Sequence, residues 1–141
     1  MNDKIARYML FNCGERRYAV DVEAVDEISE MLAEHLIPDS PRFLRGVVNI
    51  HGKIAALLDL SMYLGTGQVK NGRNLLLLKI PETCLALIVT QMERIIFDDD
   101  IIASDPGSSE FEKAVLTLAD GRVSLLELNS LVLSIEKALA L

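Results

Sequence analysis

The chain has 141 residues, half of them hydrophobic, so it is sized for one compact unit and can bury a core. Its formal net charge of −7 and its pI near 4.8 argue against nucleic acid and anionic lipid as main partners, because both require a basic surface. No run approaches the ~20 apolar residues of a membrane helix, and the first residues lack the apolar region of a signal peptide. The expected location is therefore the cytoplasm, without membrane insertion.

The first elements are predicted to be a β-hairpin followed by a helical turn. Two apolar runs, 8–11 and 18–22, flank a segment with the Asn and Gly that suit a tight connection. Val22, Val25 and Ile28 then recur at three-residue intervals, a spacing that predicts at least one helical turn.

A short helix and a second hairpin are predicted next. Ser40-Pro41 supplies an N-cap and a proline for the first helical position, and Gly46 would close the turn in a left-handed conformation. Strands are predicted at 47–50 and 53–60, joined tightly by a His-Gly turn. Segment 65–73 holds three glycines and little apolar content, which predicts a linker.

The second half of the chain repeats this arrangement. Strands are predicted at 74–80, 84–90, 115–118 and 122–128. Residues 98–100 form an acidic cluster, and 104–109 are expected to be a loop. Asn129 or Ser130 is expected to cap a terminal helix that continues through Leu139.

An internal repeat relates the two halves. Residues 8–28 align without a gap on 75–95, and residues 50–60 align on 119–128 with one residue fewer. Two copies are too few for a solenoid, so two related small barrels or sandwiches are expected, with chance similarity between apolar strands as the alternative. Each half of about 70 residues would be marginal alone, so the halves are expected to share an interface.

The residue types that carry catalysis or bind metals are poorly placed for either role. Cys13 and Cys84 lack CxxC spacing and are expected to be reduced structural thiols. His35 has no histidine partner at ligand spacing, His51 has no nucleophile at a suitable spacing, and the acids at 98–100 lack a calcium-loop pattern. We therefore predict no catalytic residue, no metal site and no cofactor, and we favour a protein that acts by binding.

Four segments follow a recognisable pattern. They are Tyr18-Ala19-Val20-Asp21-Val22, Val25-x-Glu27-Ile28, Pro41-x-Phe43-Leu44-x-Gly46-Val47-Val48-Asn49-Ile50-x-Gly52 and Leu57-Leu58-Asp59-Leu60. With these segments the chain resembles the CheW-like domain family of bacterial chemosensory systems over nearly its full length. The resemblance implies a mainly β fold of two SH3-like five-stranded β-barrel subdomains in a pseudo-repeat, with short helices and a C-terminal helix. The single domain would span 1–141, with subdomain 1 at about 15–65, subdomain 2 at about 74–128, and the N-terminal strand and C-terminal helix completing the packing.

The resemblance also implies a function in signal transduction by a two-component system. It implies a non-enzymatic adaptor that couples the cytoplasmic tip of a chemoreceptor to the regulatory domain of a CheA-type histidine kinase. The alternative is a diverged binding module that recognises a kinase, a response regulator or its own copy without bridging receptors.

The implied binding residues come from matching positions in the family pattern. The positions that match the receptor groove are Val25, Glu27, Ile28, Asn49 and His51. Ile54 matches an apolar position associated with the kinase contact. Core packing is the alternative for Val25, Ile28 and Ile54. His51 stands where the family has arginine, so an imidazole replaces a permanently charged, bidentate donor.

Overall fold

The computed structural model describes residues 7–139. Its strands are β1 (Arg7–Cys13), β2 (Arg16–Asp21), β3 (Val25–Glu30), β4 (Leu44–Ile50), β5 (Lys53–Leu58), β6 (Asn74–Leu78), β7 (Leu85–Val89), β8 (Gln91–Phe97), β9 (Ala103–Pro106), β10 (Glu112–Leu118) and β11 (Gly121–Leu126). Its helices are α1 (Leu60–Leu64) and α2 (Leu128–Leu139), with 3₁₀ turns at Val22–Ala24 and Asp98–Asp100. The mainly β fold class with a C-terminal helix is therefore confirmed.

The strands form two sheets. One has six strands in the order β8-β1-β2-β11-β10-β9, and the other has five in the order β3-β6-β7-β5-β4. The chain divides into two compact units, of which unit 1 takes residues 7–10, 17–22 and 94–139 and unit 2 takes 11–16 and 23–93 of the described part. The subdomain limits of 15–65 and 74–128 stay a prediction.

The two sheets have the same strand order, because each half of the chain places its first hairpin in the middle of a sheet whose other strands come from the other half. In the repeat, β1, β2, β3, β5 and α1 correspond to β6, β7, β8, β11 and α2. The order β3-β6-β7-β5-β4 therefore matches β8-β1-β2-β11-β10, with the hairpin of each half inserted among the strands of the other. The parallel seams match as well, since Leu57 pairs with Ala86 and Leu125 pairs with Ala19. The internal repeat found in the sequence is thus a structural repeat.

The burial of each strand follows its residue pattern. In unit 2, β7 is wholly buried and β6 is buried after its first residue, as their uninterrupted apolar sequences require of central strands. The edge strand β3 instead alternates between exposed and half-buried positions. In unit 1, the buried side chains that pack together are Leu10, Ala19, Ile96, Leu116, Leu118, Val123 and Leu125. Each unit therefore has apolar strands at its centre.

The prediction of a helix at Ser40-Pro41 is wrong. This segment makes a single turn, in which the Leu44 N–H donates to the Pro41 carbonyl over 3.0 Å, and β4 begins directly afterwards. Gly46 lies within β4 at φ 145°, where a Cβ atom would approach the His35 carbonyl oxygen to 2.3 Å. This glycine thus allows two backbone segments to meet and does not end a helix.

Three further expectations need correction. The helical turn after Val22 is a 3₁₀ turn, and Val25 and Ile28 belong to β3. The predicted strand 53–60 ends earlier, because the Asp59 side chain accepts a hydrogen bond from the Met62 N–H and caps α1. The expected loop 104–109 contains part of β9, whose pairing with β10 adds a sixth strand to a sheet predicted to have five.

Segment 65–73 is free of regular secondary structure, as predicted, but it is anchored at its middle. Val69 is fully buried, and its N–H donates to Oδ2 of the buried Asp59 over 2.9 Å. Its carbonyl accepts a hydrogen bond from Nη1 of Arg45 over 3.1 Å. We call this segment the hinge loop.

The terminal helix α2 begins at Leu128, before either of the predicted caps. Its buried residues Leu128, Leu131, Val132 and Ile135 share one side, as the apolar spacing predicts. Among residues 7–139, none of the helices combines the length and apolar character needed to span a membrane.

Candidate functional site

The six residues matched to the family's binding positions all lie in unit 2. Val25, Glu27 and Ile28 are on β3, Asn49 is on β4, His51 is in the turn that follows, and Ile54 is on β5.

Side chains from the two edges of the five-stranded sheet meet at this site. β3 and β4 are the first and last strands of the sheet, yet Nδ1 of His51 contacts Oε1 of Glu27. Beside this pair, Nζ of Lys53 donates to Oδ2 of Asp26 over 2.8 Å. The sheet therefore curves until β3 reaches the β4–β5 hairpin, and these two contacts join β3 to the hairpin.

A bulge in β3 explains how neighbouring carboxylates reach the same hairpin. The register of β3 with β6 shifts between Val25 and Glu27, so Asp26 has no partner residue on β6. Consecutive side chains of a regular strand point to opposite faces, whereas an extra residue re-aims the side chains beside it. Asp26 and Glu27 consequently contact Lys53 and His51.

The turn that carries His51 is held by Asn49. Its Oδ1 accepts a hydrogen bond from the Gly52 N–H over 2.8 Å. His51 and Gly52 have φ of 49° and 88°, the positive values that a two-residue hairpin turn of type I′ requires. Asn49 therefore has a structural role in positioning His51, and a direct contact with a partner stays a prediction.

Two apolar side chains of the site face solvent. Ile54 is 59% exposed and Ile28 is 40% exposed, so core packing does not account for either residue. Val25 is half-buried, and Glu27 retains 26% of its side-chain exposure. We use the name paired-charge face for Ile28, Ile54 and the side chains of the Glu27–His51 and Asp26–Lys53 pairs, because each isoleucine directly follows one of these side chains in the sequence.

Asp26 and Lys53 were missed by the sequence reasoning. The hydrogen bond from Lys53 to Asp26 raises the pKa of the Lys53 ammonium, and the Coulomb attraction of the same carboxylate acts in the same direction. Both residues line a shallow cleft of about 530 Å³ with the turn at 80–84, which carries the exposed thiol of Cys84. The available signal was that Asp26, directly before Glu27, and Lys53, two residues after His51, carry opposite charges.

Unit 1 carries a counterpart of the Glu27–His51 pair, with the basic side chain on the strand and the carboxylate in the turn. The repeat places Glu27 opposite Arg94 and His51 opposite Asp120. Nη1 of Arg94 lies 3.3 Å from Oδ2 of Asp120, and Arg17 adds a second guanidinium contact at 3.4 Å. The hydrogen bond from Arg94, followed by the attraction of Arg17, lowers the pKa of the Asp120 carboxyl. The repeat alignment would have revealed this pair from sequence.

Among the described residues, no three His, Cys, Asp or Glu side chains come together as metal ligands. The paired-charge face carries the charged groups of Asp26, Glu27 and Lys53, the imidazole of His51 and two exposed isoleucines.

Comparison with known proteins identifies the fold family. The family model described as the CheW-like domain matches residues 7–138. The chain belongs to the CheW-like domain family. The resemblance inferred from the sequence is thereby confirmed.

Relatives of this CheW-like chain have similar lengths. The Probable chemotaxis protein CheW of Rhizobium etli is 24% identical over 139 residues, which cover 93% of this chain and 90% of the relative. The Chemotaxis protein CheW of Rhizobium meliloti is 26% identical over 138 residues, which cover 92% of this chain and 89% of the relative. The crystal structure of the scaffolding protein TtCheW from Thermoanaerobacter tengcongensis superposes with a TM-score of 0.75 and 23% identity, covering 90% of this chain and 87% of the other. That superposition supports the two-sheet fold.

Proposed function

We propose that this protein is a non-enzymatic adaptor that couples chemoreceptors to a CheA-type histidine kinase in a bacterial chemosensory pathway. Membership of the CheW-like family, and relatives named for chemotaxis and scaffolding, support an adaptor. The proposed partners are the kinase regulatory domain and the cytoplasmic tip of a receptor, and the proposed location is the cytoplasm.

The observation that carries this proposal is the exposure of Ile28 and Ile54 on the strands that also carry Glu27, Asp26 and Lys53. Exposed apolar side chains lose contact with water when a partner covers them, which favours association. The neighbouring ion pairs select partners of complementary charge. In this assignment Val25, Glu27, Ile28, Asn49 and His51 form the receptor side, and Ile54 forms the kinase side.

A second candidate function rests on His51. The imidazole replaces the arginine of the family pattern, and it is engaged with Glu27 of its own chain. A receptor that depends on a guanidinium at this position would lose a bidentate donor. The protein would then bind a kinase, a response regulator or its own copy without bridging a receptor.

Paired substitutions separate these functions. Ile54→Asp should weaken binding of the kinase regulatory domain by roughly 10- to 100-fold, because the complex would bury an unpaired carboxylate. Ile28→Asp is the matched control, since it places the same charge on another exposed isoleucine and should weaken only the receptor-tip complex. Both affinities are measured by calorimetry, and circular dichroism checks the fold of each variant.

The pattern of binding decides between the candidates. An adaptor must bind both partners in the wild-type form and must respond to each substitution separately. Kinase binding without receptor-tip binding would establish the second candidate. Failure to bind either partner would contradict the adaptor and would leave the second candidate only with a response regulator or a second copy of the chain as partner.

A further inference from the structure

The strand order of both sheets shows that folding of this chain depends on pairing between its two halves. Segment 7–64 provides β1 to β5, and segment 74–139 provides β6 to β11. Four seams join strands of different halves: β8 with β1, β2 with β11, β3 with β6, and β5 with β7. In both sheets, two strands from one half lie between strands of the other half.

The hinge loop is the only covalent connection between these two segments. The same four seams would form if segment 7–64 of one molecule paired with segment 74–139 of a second molecule. The closed monomer and this reciprocal dimer therefore differ mainly in the hinge loop and in the entropy lost when two chains associate.

We infer that this protein can exchange its halves with a second copy of the same chain, with the hinge loop as the hinge. Each lobe of the dimer contains β1 to β5 of one chain and β6 to β11 of the other. Each lobe also retains a complete paired-charge face, because Glu27, His51 and Ile54 come from the same half. The dimer thereby presents two such faces, so it can bind a multivalent partner more tightly than one face does.

Contacts at Val69 oppose opening of the hinge loop. The buried Asp59 uses its two oxygens differently, since Oδ1 caps α1 at Met62 and Oδ2 accepts from the Val69 N–H. Gly72 also packs tightly, because a Cβ at this residue would lie 2.5 Å from Cγ2 of Ile88. The glycines at 65 and 67 have positive φ and open space around them. The loop is thus held at Val69 and Gly72.

A cross-strand disulfide can report the exchange. Glu30 on β3 pairs with Asn74 on β6. The Met31 N–H donates to the Arg73 carbonyl over 3.0 Å, so Glu30 and Asn74 form a non-hydrogen-bonded pair. The short Cα separation of such pairs suits a disulfide. A reporter chain carries Glu30→Cys and Asn74→Cys, with Cys84→Ser to remove the exposed native thiol.

The experiment starts with the reduced, monomeric reporter chain. The chain is concentrated in urea near its unfolding midpoint and returned to buffer. Dimer and monomer are separated by size exclusion, oxidised, and run on a denaturing gel without reductant. We expect the dimer fraction to run as a covalent dimer and the monomer fraction as an internally linked monomer.

Every other result overturns the inference. Absence of a dimer at any protein concentration contradicts it, as does a dimer that yields only monomer bands after oxidation, because such a dimer associates without exchange. Absence of the disulfide in the monomer contradicts the β3–β6 pairing on which the inference rests.

A single substitution tests the role of Val69. Asp59→Asn keeps one oxygen for the Met62 cap and replaces the acceptor of the Val69 N–H with an amide nitrogen. This charge-assisted hydrogen bond holds the hinge loop closed, so its loss from each chain should raise the association constant of the dimer roughly tenfold or more. Asp120→Asn, a matched change outside the hinge loop, should leave the constant unchanged. Equal constants for wild type and Asp59→Asn, or an equal rise in both variants, would overturn the assigned role of Val69.

Discussion

Gly46 lies where the segment before β4 pairs with that strand through an antiparallel bridge. His35 forms two backbone hydrogen bonds with Val47, of 2.8 and 2.9 Å, so its carbonyl oxygen is fixed against the strand. A methyl group at Gly46 would meet this oxygen at 2.3 Å in a backbone conformation with φ of 145°. We expect Gly46→Ala to lower the free energy of unfolding by about 3 kcal/mol or more, through overpacking and backbone strain together.

A second glycine separates these two costs. Gly52 has a positive φ of 88° but no atom near its would-be Cβ, so Gly52→Ala should cost only about 1 kcal/mol, from the backbone alone. Urea denaturation of both variants measures the difference. Equal losses would show that the contact with His35 relaxes without cost.

The buried thiol of Cys13 predicts a loss of stability in alkaline solution. Burial, with a smaller effect of Asp59, raises the pKa of this thiol from 9.0 to about 12. The folded protein therefore keeps its proton where the unfolded chain releases it, so the stabilisation is complete below pH 9 and disappears as the pH approaches 12. The expected slope is roughly 1.4 kcal/mol per pH unit in this range.

The variant Cys13→Ala isolates this effect, because other groups also titrate in alkali. Urea unfolding at several pH values should show a shallower decline for Cys13→Ala than for wild type. Parallel curves would mean that the thiol ionises equally in both states. A thiol reagent should modify the exposed Cys84 in the folded protein and reach Cys13 only on unfolding.

At the scale of elements, sequence patterns predicted strands better than connections. The apolar runs of β6 and β7 are long enough to identify central strands, and the His51–Gly52 turn follows from residue type. Ser40-Pro41 has the local signature of a helix start, but β4 begins at Leu44 and is tied to His35 at Val47, so the segment stops after one turn. β9 is made of polar and small residues and forms only because β10 offers an edge.

The site could be predicted only in part for a similar reason. Matching the family pattern proposed Glu27, His51 and Ile54 as binding residues, and these residues lie in one unit. The pairing of Asp26 with Lys53 depends on a bulge and on curvature of the sheet, which no local sequence pattern encodes. Contacts between the edges of a sheet depend on how all its strands twist.

The Arg94–Asp120 ion pair of unit 1 predicts sensitivity to acid. Hydrogen bonds from Arg94 and Arg17 favour ionised Asp120, so its stabilising effect is present above the usual carboxyl range and disappears as the pH falls through the lowered pKa. We expect Asp120→Asn to be less stable than wild type at neutral pH, with the two converging in acid. A carboxyl titration followed by NMR should show the pKa of Asp120 rising in Arg94→Ala. An unchanged pKa in that variant would remove Arg94 as its cause.

At the scale of the whole molecule, each half supplies strands to both sheets. A protease site placed in the hinge loop should therefore allow the chain to be cut while its halves stay associated. The cut protein should elute at the position of the intact monomer and should separate only in denaturant. Unfolding should remain one cooperative transition, since separating the halves opens the seams of both sheets. Separation of the halves under native conditions, or two transitions, would contradict this prediction.

The parallel seam between β2 and β11 also determines when the molecule can fold during its synthesis. Tyr18 and Ala19, near the start of the chain, pair with Ser124 and Leu125 near its end. Ribosomes add about 5–20 residues per second, so the β1–β2 hairpin waits for several seconds before β11 emerges from the exit tunnel. During that interval the apolar side chains of β1 and β2 lack their final neighbours and are open to capture by chaperones. Even a late stop codon that removed β11 would leave the β1–β2 hairpin without this neighbouring strand, so a truncated product should be a target for cellular proteases.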